Sequence, residues 1–247
     1  MFNLQKRSAS HKDYSFKKSH KLGAVQVPEF IIPSQILDQG NTEDCTAFSA
    51  VGARMSEISG AVFDPSAFWN DELAFAGVQT STGFDLGVPA AVSVKVGFCP
   101  SGNPSVRGNQ ASAYFWLHSF EEVMQAMYQT KYVAIGGVEW EQSWTSNPYI
   151  TTTGGVVLGG HAIRIVGMKI MSDGRYAVLA NTWSEQVGDK GYWYIREDVF
   201  NKKFSEYGIY ILSDSQDIKV KTLGLISALY TNILTLLKNF SPLKLLK

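Results

Sequence analysis

Cysteine is scarce in this 247-residue sequence, and the two that occur, Cys45 and Cys99, allow one disulfide at most. A small secreted scaffold stapled by several bridges is excluded, and a reducing compartment is the expectation. An unbroken apolar run of about 20 residues, as a bilayer span needs, is also missing. The N-terminus reads Met-Phe-Asn-Leu-Gln-Lys-Arg and stays polar for over twenty residues, without the apolar stretch of a secretory signal. A cytoplasmic protein is expected, with association with a virion as a variant. Paired His and Cys at zinc spacing are absent too. The glycine cluster Gly154-Gly155 and Gly159-Gly160 has no following Lys-Ser/Thr to make a phosphate loop. No metal, nucleotide or other cofactor is expected, and no specific nucleic-acid partner.

Net charge is absent as a total, since 22 Lys and Arg balance 22 Asp and Glu, but not locally. Residues 1–22 carry Lys6, Arg7, Lys12, Lys17, Lys18 and Lys21 against Asp13, a net +5. Residues 213–247 carry five lysines against Asp214 and Asp217, a net +3, which leaves −8 on residues 23–212. An acidic body between two basic extensions is the implied organisation. The acidic counterpart of the extensions is open among a protein, a phosphate-rich polymer, a membrane surface and the body's own cleft.

What is present is enough apolar residue, 45% of the chain, to bury a large core or two lobes around a cleft. The Lys-, Ser- and His-rich stretch 1–22 has the composition of a solvated arm. From Val25 to Gly40, with Pro28 and Pro33, an extended strap is expected, turning at Asp38-Gln39-Gly40. A helix should open at Cys45, with Phe48, Val51, Met55 and Ile58 on one face, an end near Gly60, and Thr42, Glu43 and Asp44 as capping candidates. Residues 61–130 read as mostly helical, with pieces at 87–97 and Phe120–Tyr128. Beyond them, Tyr132–Val138, Ala162–Ile170, Tyr176–Asn181, Tyr192–Arg196 and Gly208–Leu212 are β-branched and aromatic runs that read as antiparallel strands. Helices first and strands second give an α+β protein whose lobes meet along a groove. Residues 223–240 place Leu223, Ile226, Tyr230, Ile233, Leu237 and Phe240 on one face of a basic helix, suited to protein or to an anionic membrane surface.

Thiol acyl transfer needs a thiolate, a base, a group that orients the base, and donors for the oxyanion. Cys45 stands at an expected helix start, which favours a thiolate. The stretch Asp38-Gln39-Gly40-Asn41-Thr42-Glu43-Asp44-Cys45-Thr46-Ala47-Phe48-Ser49 resembles the nucleophile motif of papain-like cysteine peptidases. Gly159-Gly160-His161-Ala162-Ile163-Arg164-Ile165-Val166-Gly167 resembles that family's histidine strand, and Asn181-Thr182-Trp183-Ser184 with Gly188-Asp189-Lys190-Gly191-Tyr192 its asparagine segment. The three stand in family order, with His161 116 and Asn181 136 residues after Cys45. Gly87-Val88-Pro89 and Gly97-Phe98-Cys99-Pro100 are similar to the helix and turn beside the substrate cleft, and Tyr207-Gly208-Ile209 to the closing strand.

The resemblance covers about residues 23–212 and implies a two-lobed fold. One lobe is helical with Cys45 at a helix N-terminus, and the other is an antiparallel, barrel-like β lobe carrying His161 and Asn181. It further implies an endopeptidase or related thiol hydrolase acting through an acyl-enzyme. Cys45 would be nucleophile, His161 base, Asn181 the group that orients it, Gln39 with the Cys45 N–H the oxyanion donors, and Trp183 a shield. Transglutaminase-like and amidase chemistry use the same groups.

Departures from the pattern sharpen the expectations. Thr42 replaces a family cysteine, so that disulfide is impossible and Cys99 is expected to be a buried free thiol. Thr46 replaces an aromatic residue, which points to a bacterial or phage source. Glu43-Asp44 replace Gly-Ser, setting two carboxylates against the incipient thiolate. They are expected either to support the helix start or to border the scissile bond and favour a basic substrate residue. The rival reading is a catalytically weak structural or binding module of a phage particle or secretion assembly.

Overall fold

The computed structural model describes residues 2–6 and 26–214. Most of the basic arm and the expected helix over 223–240 lie outside the described residues. In chain order the elements are β1 (Phe2–Asn3), β2 (Phe30–Ile31), α1 (Cys45–Glu57), α2 (Pro65–Ala76), α3 (Gly87–Lys95), β3 (Ala113–Leu117), α4 (Phe120–Thr130), β4 (Ala134–Glu141), α5 (Gln142–Thr145), β5 (Tyr149–Ile150), β6 (Val157–Met171), β7 (Gly174–Ala180), β8 (Tyr192–Arg196), α6 (Glu197–Lys203) and β9 (Ile209–Ser213). Among the described residues no helix is long and apolar enough to cross a membrane.

The strands form one sheet in the order β3-β9-β4-β6-β7-β8-β5, with β1 and β2 added along β6. The barrel-like expectation is corrected here: the sheet is open and mixed, because β1 on β6 and β5 on β8 pair in parallel. The long strand β6 lies at its centre. Its first half pairs with β4, its second half with β7, and a register shift between Ile165 and Gly167 divides the two. Such irregularities bend a strand and turn its ends toward different neighbours. Gly167 lets the strap cross closely, since a Cβ there would stand 2.2 Å from the Phe30 carbonyl oxygen.

α1 packs against β6, and α2 and α3 pack on α1. At the start of α2, Asp64 accepts from the backbone N–H groups of Ser66 (2.9 Å) and Ala67 (3.2 Å), Pro65 sits in the first turn, and left-handed Gly77 ends it. No such cap starts α1. Asp44 occupies the N-cap position without a side-chain bond to the helix and instead accepts from the Thr42 hydroxyl. The expected single apolar face of α1 also gives way. Residues 45–47 and 49–54 are all buried, whereas Phe48, Met55 and Ile58 are only half-buried. Sandwiched between β6 and the helices α2 and α3, α1 is covered on several sides, and Ala47, Ala50, Gly52 and Ala53 allow that close approach. In the half read as helical, β3 went unforeseen: Tyr114, Phe115 and Trp116 pair antiparallel with β9, as their aromatic character favours.

Candidate active site

Three backbone features converge on one point. The strap ends in a turn at Gly40, whose φ of 61° suits glycine and whose N–H donates to Asp38 Oδ1 at 2.9 Å. α1 begins immediately afterwards with Cys45. On the facing sheet, β6 carries His161, and the chain leaving β7 carries Asn181.

The Ala162 N–H donates to Cys45 Sγ at 3.5 Å, and the Ser49 hydroxyl donates to the Ala162 carbonyl at 3.0 Å, so α1 lies directly along the histidine strand. His161 Nε2 stands 2.8 Å from Asn181 Oδ1. The same oxygen accepts the Thr182 N–H at 2.7 Å, which fixes the amide orientation. An amide oxygen only accepts, so Nε2 carries the proton and Nδ1 is the basic nitrogen. Trp183 stacks on the imidazole with centroids 4.4 Å apart, and Trp140 meets both rings edge-on at 5.8 and 4.9 Å. Trp144 and Trp193 pack on Trp140 in turn. Four of the chain's six tryptophans thus wall the His161–Asn181 pair from water.

Gln39 is buried. Its backbone N–H donates to the Thr182 carbonyl at 2.8 Å, its side-chain Nε2 donates to the Thr42 carbonyl at 2.8 Å, and its Oε1 accepts from the Thr182 hydroxyl. The side chain is held firmly with its amide N–H groups toward the start of α1. Beside it opens a pocket of about 440 Å³ lined by Asp38, Gln39, Asn41, Thr42, Thr145 and Trp183. Cys99 is buried apart from these residues, its thiol directed at the Asn103 carbonyl at 3.0 Å.

Burial governs the ionisation here. It pushes the Cys45 thiol up to about 12, helped by Glu72, Asp44 and Glu43, while the Ala162 N–H opposes the rise. Burial also pulls His161 down to about 4 against the Asn181 bond. Desolvation thus opposes the helix-start effect read from the sequence, and burial favours the neutral form of both the thiol and the imidazole. Among the carboxylates opposing the thiolate, the foremost is one the sequence did not single out. Glu72 of α2 is fully buried, accepts from the Thr46 hydroxyl at 2.8 Å, and is held well above the usual carboxylate range by that burial. A clue was available: Thr46 replaces an apolar aromatic residue, and a buried hydroxyl needs a partner.

The structure thus brings together Cys45, His161, Asn181, Gln39, Trp183, Glu43 and Asp44. Asp44 is buried, its carboxylate is taken by Thr42, and burial raises its pKa. It is committed to the α1 start, whereas Glu43 is half-exposed. Gly87 is the first residue of α3, its N–H bonded to Asp85 Oδ1 at 2.7 Å. Gly160 permits a contact that composition argued against. The first residues of the solvated-arm expectation are ordered on the body: β1 pairs with Gly159 and Gly160, and the Leu4 N–H donates to the Gly160 carbonyl at 2.9 Å. Leu4 is buried, and a Cβ on Gly160 would stand 2.4 Å from its carbonyl oxygen. Across the groove, the Gln5 side chain donates to the Gly83 carbonyl at 3.0 Å, while on the His161 side Lys6 pairs with Glu206 at 2.5 Å.

No family model matches the chain. Among solved structures, xylellain, a cysteine protease from Xylella fastidiosa, superposes with a TM-score of 0.71 at 17% identity, over 86% of this chain and 96% of that one. Procathepsin B S9 from Trypanosoma congolense gives 0.69 at 14% identity, over 86% of each chain. A curated relative, cathepsin B-like protease 1 of Arabidopsis thaliana, is 33% identical over 79 residues. That match spans 31% of this chain and 21% of the relative's length. The chain has the two-lobed α+β fold of papain-like cysteine proteases.

Proposed function

We propose that the protein is a papain-like cysteine peptidase acting through Cys45, His161 and Asn181. The observation that carries the reading is the His161–Asn181 bond at 2.8 Å, which leaves Nδ1 basic, on the strand whose next N–H touches Cys45 Sγ. His161 Nδ1 takes the thiol proton as Cys45 Sγ attacks the peptide carbonyl. The resulting oxyanion is met by Gln39 Nε2 and the Cys45 N–H. The tetrahedral species then breaks its C–N bond, and the imidazolium returns its proton to the departing amine. Water, deprotonated by the same imidazole, attacks the thioester, and the Cys45 thiol leaves with the acid as second product. A substrate preference for a basic residue near the scissile bond rests on Glu43 alone, because Asp44 is buried.

The test is alkylation with an iodoacetamide probe and mass-spectrometric site assignment, run beside peptide hydrolysis. Cys45 should be labelled well before Cys99 at pH 6, because His161 Nδ1 takes the thiol proton as the sulfur attacks the probe, and kcat/KM should hold down to an acid limb near His161's value of about 4. The sign follows from the mechanism: the free base is required, and it is lost as pH falls through that value. Labelling of Cys45 no faster than that of Cys99 would defeat the reading.

The ordered start of the chain also bears on access. Leu4 occupies the Gly160 carbonyl one residue before His161, and Gln5 reaches the opposite wall. A peptide lying along that strand must displace it. Leu4→Asp is expected to raise kcat/KM roughly 3- to 10-fold, chiefly through KM, because a site open only part of the time binds in proportion to its open fraction. A drop in kcat/KM with the melting temperature preserved would instead make the segment a support of the site.

A further inference from the structure

One buried group lies close to the triad without a role in the chemistry above. Arg164, three residues after His161 on β6, is fully buried, and no Asp or Glu pairs with it among the described residues. Taking a guanidinium out of water without a carboxylate is costly, and an aliphatic side chain would fill the same volume without that penalty. Its contacts explain its presence. Nη1 donates to Ser34 Oγ at 2.7 Å and to the Gln35 carbonyl at 2.8 Å, and Nη2 reaches the Asn181 carbonyl at 3.5 Å. Ser34 is itself bonded to Ser56 of α1 at 2.9 Å and takes the Tyr192 hydroxyl on its carbonyl at 3.1 Å.

The fork therefore grips the strap five and four residues before Gln39, together with the backbone of Asn181. On the far side of the same junction, the Gln39 N–H bonds the Thr182 carbonyl, and Asp38 bridges Trp183. Room for the fork comes from α1, where a Cβ on Gly52 would stand 2.5 Å from Nη1. A planar guanidinium sets two segments at a fixed spacing, as an ammonium on a flexible stem does not.

We propose that Arg164 is a positioning residue that sets the strap bearing Gln39 and the Asn181 backbone in register with Cys45 and His161. The proposal rests on the peptidase reading, and two readouts keep the two apart. Arg164→Lys keeps the charge and loses the fork. It is expected to lower kcat roughly 10- to 100-fold with KM within about 3-fold, as small misplacements of catalytic groups do. Cys45 alkylation at pH 6 should slow with it, a readout that needs no substrate. Ser34→Ala removes one anchor at a half-buried site where folding is not at stake, and should lower kcat by about 3-fold or more. In the double variant the Ser34 effect should largely vanish, because both changes break one contact.

An unchanged kcat and alkylation rate in Arg164→Lys, or full additivity with Ser34→Ala, overturns the proposal. If Arg164→Lys does not fold, Ser34→Ala decides alone: normal kcat and normal alkylation sink it. A parent enzyme that hydrolyses no peptide defeats the peptidase reading, while the alkylation rates still test Arg164.

Discussion

Alanine at His161 is expected to lower kcat/KM for a peptide substrate by about 10⁴-fold or more, and Cys45→Ala should do the same. The argument is burial, which favours the neutral form of both thiol and imidazole. With the thiol pushed up to about 12, almost no thiolate exists at neutral pH unless a base takes its proton during attack. His161 Nδ1 is the base available on that strand, so its removal leaves a buried, protonated sulfur. The double variant should be no worse than either single one, since nucleophile and base act as a unit. Removing the imidazole also vacates the slot between Trp183 and Trp140, so each variant needs a melting curve beside its kinetics. A loss below about 100-fold for a folded His161→Ala protein would assign proton removal elsewhere.

The second large effect belongs to Gln39. Removing one oxyanion donor costs about 10²–10³ in kcat in enzymes of this chemistry, and Gln39→Glu is the cleaner substitution. The glutamate keeps the shape and an oxygen for the Thr182 hydroxyl, while it loses the N–H donors and adds a negative charge where the oxyanion forms. We expect kcat to fall at least about 100-fold with KM within a few-fold. Equal losses in kcat and stability would mark Gln39 as a brace between Thr42 and Thr182 and nothing more.

Legibility in the sequence followed the range of the interactions. Cys45, His161, Asn181 and Gln39 were readable because each sits in a local pattern: a turn before a helix, a histidine opening an apolar strand, an asparagine ending one. The strands of the second half were readable for the same reason, and Tyr192–Arg196 was read to the residue. Glu72 was not, because its meaning arises only from contact with Thr46, twenty-six residues away and on another helix. Arg164 stands within the histidine motif, but its role is not legible there, since periodicity has no account of a cation inside an apolar strand. The burial of α1 on several sides, the open sheet and the pairing of β1 with β6 depend on which elements become neighbours, and alternation along one strand does not encode that.

The pairing of Phe2 and Asn3 with Gly159 and Gly160 has a consequence in time as well as in space. A ribosome adding roughly 5–20 residues per second makes the nucleophile early, and its base more than a hundred residues later. Through that interval the thiol is an ordinary cysteine on a nascent chain, harmless to its surroundings. When the histidine strand finally emerges, the segment that lies along it was made long before and is already present to settle there. On this view the groove is born covered, and its first opening is a separate event after synthesis is complete.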